Sequence, residues 1–169
     1  MMSEKNESRR SILGKLTAGI ISLGIFGQLA AYFRSLIPNV LYEPPTKFKI
    51  GLPTEFSEGV KFIEDKRVYI FKERNNFYAI SAVCTHLGCT VKHSPYPQPK
   101  EVEVKGKNKV MTGEFRCPCH GSNFYGDGTH YAGPAPAPLV WHPLEIAQED
   151  GQILVDISKE VGNDFRLSV

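Results

Sequence analysis

The chain has 169 residues, of which 41% are hydrophobic and 22% are charged, and its formal net charge is +2. This composition fits one domain of modest size with an appendage. The near balance of charges gives no reason to expect a nucleic-acid partner, because such proteins usually carry a pronounced basic excess.

The first 15 residues carry a paired arginine, Arg9-Arg10, directly before an apolar run. The stretch Ser8–Lys15 (SRRSILGK) resembles a twin-arginine export signal, with Ile12 at a position where phenylalanine is common. We predict that residues 1–15 form a cytoplasmic signal region.

Residues 16–33 contain no charged side chain. As a helix these 18 residues would span about 27 Å, close to the roughly 30 Å hydrocarbon core of a bilayer. We therefore predict one transmembrane helix over residues 16–33. The alternative is a cleaved signal peptide with Ala30-Ala31 at its cleavage site.

Basic residues are concentrated on one side of this apolar run. Those before it are Lys5, Arg9, Arg10 and Lys15, whereas only Arg34 follows it closely. The positive-inside rule predicts a cytoplasmic N-terminus. The remainder would then lie on the periplasmic or outer face of a prokaryotic cell membrane, as a single-pass protein. Disulfides persist in that compartment.

Residues 34–46 form a predicted connector, because Pro38, Pro44 and Pro45 disfavour a helix and stiffen the chain. From residue 47 onward, short runs of β-forming residues alternate with turn residues, which predicts an antiparallel all-β domain over residues 47–169. Its first predicted strands are Lys47–Ile50, Val60–Ile63, Arg67–Lys72 and Phe77–Ser81, with a hairpin turn at 74–76 between the last two.

All four cysteines and two of the five histidines fall in two short boxes, Cys84–Cys89 (CTHLGC) and Cys117–Ser122 (CPCHGS). Thiols and imidazoles concentrated in two turns indicate a metal site. Mixed thiolate and imidazole donors suit zinc or iron–sulfur and exclude magnesium and calcium. A closed zinc site would leave two of the six donors unused, whereas a two-iron cluster held by two Cys and two His leaves two cysteines free to pair. The donor count favours the cluster; a structural zinc module is the alternative.

The segment Thr90–Arg116 between the boxes begins with three prolines, at positions 95, 97 and 99. It predicts a loop that leads into a hairpin with its turn at Gly106–Asn108. Lys105, Lys107 and Lys109 are predicted to lie at a solvated hairpin tip, with contact to an acidic partner as the alternative.

The last clear element is a hairpin of Leu144–Ala147 with Gln152–Ile157, which we expect to close the base of the domain. The remaining histidines, His93, His130 and His142, lie outside the boxes. We predict that these three are surface or packing residues.

Both boxes resemble the Rieske family in every residue, and Rieske centres are [2Fe-2S] clusters in which two His replace two Cys on one iron. The resemblance implies an antiparallel Rieske-type β-sandwich whose cluster-binding part covers about residues 82–140. It implies one cluster per chain, with Cys84 and Cys117 on one iron and His86 and His120 on the other. It also implies a Cys89–Cys119 disulfide.

Gly133–Pro136 (GPAP) resembles the family's proline loop, which covers the cluster from a third side. In high-potential members a serine hydroxyl bonds a bridging sulfide, and a tyrosine two residues later bonds a cysteine ligand. Ser122 matches the serine, but Phe124 stands at the tyrosine position and Tyr125 is one residue further on. This departure predicts a lower reduction potential and a low-potential quinol such as menaquinol.

The chain resembles in particular the Rieske subunit of quinol:cytochrome c oxidoreductases. The resemblance implies that quinol binds against His86 or His120, that the cluster accepts one electron, and that a c-type cytochrome receives it. A cytochrome b subunit would take the second electron. The alternative is a Rieske subunit of another periplasmic redox enzyme, such as a molybdenum arsenite oxidase.

Overall fold

The computed structural model describes residues 9–37, 45–104 and 106–169. The chain divides into two units, and the second unit runs Pro45–Val169. Among the described residues, the first unit contains one helix and the second contains β-strands with one short 3-10 turn at Pro53–Glu55.

Helix α1 (Arg9–Ser35) has 27 residues, which corresponds to about 40 Å. It is long and apolar enough to cross a membrane, and none of its side chains is buried in protein. The helix begins earlier than the predicted start at Leu16, because arginine and lysine are good helix formers and extend helical backbone beyond an apolar run.

The paired arginines lie in the first turn of α1, and the export signal stays a prediction. The predicted connector falls mainly on residues 38–44, which include Pro38 and Pro44 and lie outside the described residues. Its extended conformation therefore also stays a prediction.

The strands of the second unit are short, apart from two. In chain order they are β1 (Lys47–Lys49), β2 (Gly59–Ile63), β3 (Val68–Glu73), β4 (Asn76–Ser81), β5 (Lys92–Val104), β6 (Lys107–Arg116), β7 (Asn123–Tyr125), β8 (His130–Ala132), β9 (Trp141–His142), β10 (Leu144–Ile146), β11 (Ile153–Asp156) and β12 (Leu167–Ser168).

These strands form three antiparallel sheets. The central sheet has the order β12-β4-β3-β2, with β9 also paired to β4. A three-stranded sheet has the order β1-β11-β10, and a four-stranded sheet has the order β5-β6-β7-β8. The predicted antiparallel all-β fold is confirmed.

The central sheet is buried on both faces, because successive side chains of a strand point to opposite sides. In β3, Val68 and Ile70 enter a core shared with the three-stranded sheet, through residues such as Ile153. Tyr69 and Phe71 enter a second core. That second core also holds Phe115 and Phe124 of the four-stranded sheet and the box cysteines Cys84 and Cys117. Burial on both faces explains why Val68–Phe71 is a continuous apolar run.

Two predicted hairpins are present. β3 and β4 are joined by Arg74 and Asn75, with Arg74 at a left-handed φ of 57°. β10 and β11 pair from Leu144–Val155 to Ile146–Ile153, and the Gly151 N–H closes the turn on the Ala147 carbonyl at 2.8 Å.

The prediction of a loop at the start of the segment Thr90–Arg116 is wrong, because β5 continues through the three prolines. Pro95 pairs with Gly113 and Lys100 pairs with Met111, so four residues, 96–99, bulge opposite the single residue Thr112. β5 is an edge strand of its sheet, where proline's missing N–H leaves no ladder bond unmade. The strands also extend further towards the tip than predicted, since Asn108 already pairs with Glu103.

The lysines of this hairpin differ in their surroundings. Lys105 lies outside the described residues, whereas Lys109 forms a 2.9 Å ion pair with Asp127. Lys107 is exposed, as the predicted solvated hairpin tip requires. Lys109 does not fit that prediction, because it is paired with Asp127.

A buried carboxylate ties the bulge of β5 to β8. Glu114, on β6, accepts hydrogen bonds from the hydroxyls of Tyr96 at 2.9 Å and Tyr131 at 2.8 Å, and from Arg116 Nε at 2.6 Å. Burial alone would raise the pKa of Glu114, but these donors hold it below its ordinary value. The same contacts accompany burial in raising the pKa of Tyr96 and Tyr131 to about 12.

His93 is a packing residue, as predicted. Its ring lies 5.0 Å from that of Phe115 and 5.5 Å from that of Phe71, between centroids. Its backbone N–H donates to the Tyr69 hydroxyl at 3.1 Å. Burial lowers the pKa of the His93 imidazole, because the charged form loses solvation among these rings.

We expect His93 to make the domain less stable as the pH falls below about 6.5. In that range the unfolded chain binds a proton at His93 and the folded domain does not, so acid favours unfolding. The His93→Phe variant keeps an aromatic ring but cannot bind the proton. Denaturant midpoints at pH 7.5 and 5.5 should therefore differ less for the variant than for wild type, and an equal difference would contradict the prediction.

Candidate metal centre

The first box forms a tight loop directly after β4. An isolated bridge between Val83 and Thr90 closes its base. Inside it, the Cys84 N–H donates to the Cys89 carbonyl at 2.8 Å, and the Gly88 N–H donates to the Cys84 carbonyl at 2.9 Å. Gly88 has a φ of 76°, a left-handed conformation that glycine adopts without strain.

The second box repeats this backbone pattern between β6 and β7. The Cys117 N–H donates to the Ser122 carbonyl at 2.8 Å, and the Gly121 N–H donates to the Cys117 carbonyl at 3.1 Å. Gly121 again has a left-handed φ, of 72°. Each box is therefore the same six-residue turn, with cysteine first and glycine fifth.

The two first-position cysteines are brought together as free, buried thiols. Cys84 is 2% exposed and Cys117 is 4% exposed. Burial raises the pKa of the Cys84 thiol, and the adjacent Cys117 thiol raises it further. A bound cation would replace both thiol protons and neutralise the buried thiolates.

The two box histidines lie side by side. Their ring centroids are 4.9 Å apart and the rings are nearly perpendicular, at 88°. His86 is half-buried, and its Nδ1 has no hydrogen-bond partner among the described residues although it is buried. A buried nitrogen without a partner is costly unless it binds something, and a metal ion would satisfy it.

The other two cysteines form a disulfide, Cys89–Cys119, with their Cα atoms 6.6 Å apart. This is the pairing that the resemblance implies. The sulfur atoms of Cys89, Cys117 and Cys119 all lie within 4.8 Å of one another. Because two of the three are joined in the disulfide, only Cys117 of this group is available as a thiolate ligand.

The proline loop, together with Ala137 directly after it, is hydrogen-bonded to both boxes. The Ala135 N–H donates to Ser122 Oγ at 3.2 Å, and Thr85 Oγ1 donates to the Ala137 carbonyl at 2.6 Å. Gly133 has a φ of 94°, and a Cβ there would lie 2.6 Å from the Cα of Ser122. The loop is therefore packed against the second box and bonded to both.

Ser122 and Phe124 are both fully buried beside the cysteines. The Ser122 hydroxyl accepts the Ala135 N–H and hydrogen-bonds Cys84, which lowers the pKa of that thiol against the effect of burial. Phe124 has no donor to offer. The ring of Tyr125 stacks on Tyr131 at 4.4 Å, so its hydroxyl does not replace the missing one.

Two contributors to the site were not found from the sequence. Thr85 fastens the first box to the proline loop, and Arg67, between β2 and β3, donates from Nη1 to the Gly88 carbonyl at 2.8 Å. Its place inside the first box could have identified Thr85 as a site residue. Nothing in the local sequence marks Arg67.

The histidines outside the boxes are packing residues. His142 Nδ1 lies 2.9 Å from the Lys159 carbonyl oxygen, and the His130 ring contacts Phe124.

The donors brought together here fit a [2Fe-2S] centre with two thiolates and two imidazoles. The free thiols are buried, His120 is exposed and His86 is half-buried, and the remaining cysteines are paired with each other. A hard cation such as magnesium would not select this set.

Comparison with known proteins agrees with this geometry. The model of the Rieske [2Fe-2S] domain family matches residues 46–148. The cytochrome b6-f complex iron-sulfur subunit of Chlorobaculum tepidum is 29% identical over 161 residues, covering 89% of this chain and 76% of that protein. The chloroplastic cytochrome b6-f complex iron-sulfur subunit of Pisum sativum is 30% identical over 177 residues, covering 94% and 70%. The chain belongs to the Rieske [2Fe-2S] family.

Proposed function

We propose that this chain is the electron-transfer subunit of a membrane-bound, quinol-oxidising complex of the cytochrome bc type. The observation that carries the proposal is the exposed His120 beside the half-buried His86, above two buried free thiols. Two relatives, of which this chain covers 76% and 70%, are iron-sulfur subunits of cytochrome b6-f complexes, which supports the same conclusion.

In this proposal Cys84 and Cys117 hold one iron and His86 and His120 hold the other. His86 would bind through Nδ1, its buried nitrogen without a described partner. Ser122 would bond to the centre from the side of the proline loop. The bound [2Fe-2S] cluster supplies one-electron oxidation and reduction.

The imidazoles also offer a route for the quinol proton. Each ring has two nitrogens, so the one turned away from the metal can accept a hydrogen bond from a quinol hydroxyl and then its proton. His120 is exposed and meets this requirement directly, whereas His86 is half-buried. We therefore assign the catalytic contact with quinol to these two residues.

The rest of the assembly follows from this role. Helix α1 anchors a single-pass protein in a prokaryotic cell membrane, with its N-terminus in the cytoplasm and the β domain on the opposite face. A cytochrome b subunit would supply the quinol site, and a c-type cytochrome would accept the electron.

Purification of the intact chain from membranes tests the proposal. Visible and electron-resonance spectra report the cluster, and a zinc-loaded protein would be colourless and would lack the paramagnetic signal of the reduced state. Co-purification with a b-type cytochrome is the expected result. Co-purification with a molybdenum subunit would instead place the chain in an enzyme such as an arsenite oxidase.

The Phe124→Tyr variant is expected to have a higher reduction potential than wild type. A tyrosine hydroxyl at this buried position would donate to a cysteine ligand and favour the more negative, reduced state. One hydrogen bond worth about 1 kcal/mol between the redox states corresponds to about 40 mV for one electron. A redox titration of the purified protein, followed in the visible spectrum, measures the change.

The matched control is Tyr125→Phe, which removes a hydroxyl one residue away. Because Tyr125 stacks on Tyr131, this change should leave the potential where it was. A wild-type potential at the top of the Rieske range, or a Phe124→Tyr variant without a rise, would refute the role of Phe124. A low wild-type potential supports menaquinol as the donor.

A further inference from the structure

Arg67 occupies an unusual backbone position at the end of the turn between β2 and β3. Its φ is 49°, and its N–H closes the turn on the Glu64 carbonyl at 3.2 Å. A left-handed conformation costs a residue with a Cβ about 1 kcal/mol, whereas glycine adopts it freely. Arg67 bears this cost, whereas glycine would not.

The contacts of Arg67 reach both ends of the first box. Its carbonyl accepts the Ala82 N–H at 2.8 Å, where the chain enters the box. Its Nη1 donates to the Gly88 carbonyl at 2.8 Å, where the chain leaves the box. One residue of the central-sheet turn therefore holds the entry and the exit of the loop that carries Cys84 and His86.

The Gly88 carbonyl is next in sequence to a cysteine of the disulfide. Gly88 precedes Cys89, and the Cys89 sulfur lies within 4.8 Å of the Cys117 sulfur. Gly88 is therefore bonded to a disulfide cysteine whose sulfur lies beside a proposed ligand thiol. Among the described residues, no carboxylate oxygen lies within 4.0 Å of the Arg67 guanidinium, and the neighbouring Asp65 pairs with Lys66 at 3.8 Å. The Arg67 side chain is exposed, so solvent screens part of its charge.

We propose that Arg67 is a positioning residue for the metal centre, an inference that rests on the function proposed above. Its guanidinium fixes the Gly88 carbonyl and thereby the first loop. Its charge also favours the reduced centre, because reduction adds one electron and so one negative charge beside it. Two measurable properties follow, the lifetime of the bound cluster and its reduction potential.

Arg74 provides a matched control. It also has a left-handed φ, of 57°, and it lies in the turn between β3 and β4. Its backbone N–H donates to Glu58, directly before β2, at 2.9 Å and not to a residue of either box. Arg67→Met and Arg74→Met therefore make the same change of charge and shape at similar turns.

The test uses the full-length, cluster-loaded protein. Arg67→Met should shorten the half-life of the cluster's visible absorbance at elevated temperature by roughly tenfold, as expected for losing a hydrogen bond from a charged donor. It should also lower the reduction potential. Arg74→Met should match wild type in both measurements. Arg67→Lys keeps the charge but not the forked donor, so it should restore the potential while restoring the half-life only in part.

Arg67→Met and Arg74→Met variants with the same half-life and the same potential would overturn the proposal. A shorter half-life without a lower potential would also overturn it, because that result describes a residue that is only structural. If Arg67→Met fails to load a cluster, the half-life of Arg67→Lys decides, because the proposal expects it to be shorter than that of wild type. A wild-type chain that loads no cluster would instead refute the proposed function, and the role of Arg67 with it.

Discussion

The double variant Cys89→Ser, Cys119→Ser is expected to lose about 3 kcal/mol of unfolding free energy and to release its cluster sooner. The disulfide joins residues 30 apart in sequence, and removing a cross-link over such a loop costs about 2–4 kcal/mol, in large part because the unfolded chain gains freedom. The ligand residues Cys84 and Cys117 are unchanged, so the cluster should still assemble.

Replacing both cysteines avoids a leftover thiol, which would compete for iron so close to Cys117. Thermal unfolding and the decay of visible absorbance measure the two effects. Wild-type protein treated with a thiol reductant is the control and should approach the behaviour of the variant. If the double variant retains its cluster as long as untreated wild type, the disulfide does not stabilise the site.

Gly133→Ala is expected to have a comparably large effect, of roughly 3 kcal/mol or more. The new Cβ would lie 2.6 Å from the Ser122 Cα, 2.8 Å from the Gly121 carbonyl oxygen and 2.9 Å from the Ser122 nitrogen. All three are backbone atoms, so no side-chain rotation can relieve the contact. The proline loop must therefore move away from the second box.

Gly88→Ala is the matched control for this change. Gly88 also has a left-handed φ, of 76°, but nothing lies within 4 Å of a Cβ built there. Its substitution should cost only the backbone strain, about 1 kcal/mol. Unfolding midpoints and cluster half-lives of the two variants separate strain from displacement. Equal losses for both would show that the loop does not need to approach the box closely.

The boxes and the hairpins could be predicted because their signals are local. Cys84–Cys89 and Cys117–Ser122 carry the donors and the turn glycines within six residues each, and Asn75 sits in a turn between two β-forming runs. The disulfide and the ligand pairs came from resemblance, because spacing alone cannot decide which of four cysteines are joined.

What could not be predicted depends on contacts between sheets. Prolines in a sequence predict the end of a strand. Pro95 nevertheless lies in β5, because β5 is an edge strand and can lack one N–H donor. The role of Glu114 appears only when β5 and β8 bring Tyr96 and Tyr131 to it. Arg67 is 21 residues from Gly88 in sequence, and only the packing of the first box on the central sheet brings them together.

The bulge at residues 96–99 has a consequence for how chain length can vary in this domain. Residues 96–99 lie opposite the single residue Thr112. Deleting three of these four residues would leave a regular ladder, with Pro95 still opposite Gly113 and Lys100 still opposite Met111. Insertions and deletions at this edge therefore preserve the alternation of inward and outward side chains on either side of them. The segment between the boxes can change length over evolution, or accept a label, while the spacing of the two ligand loops stays fixed.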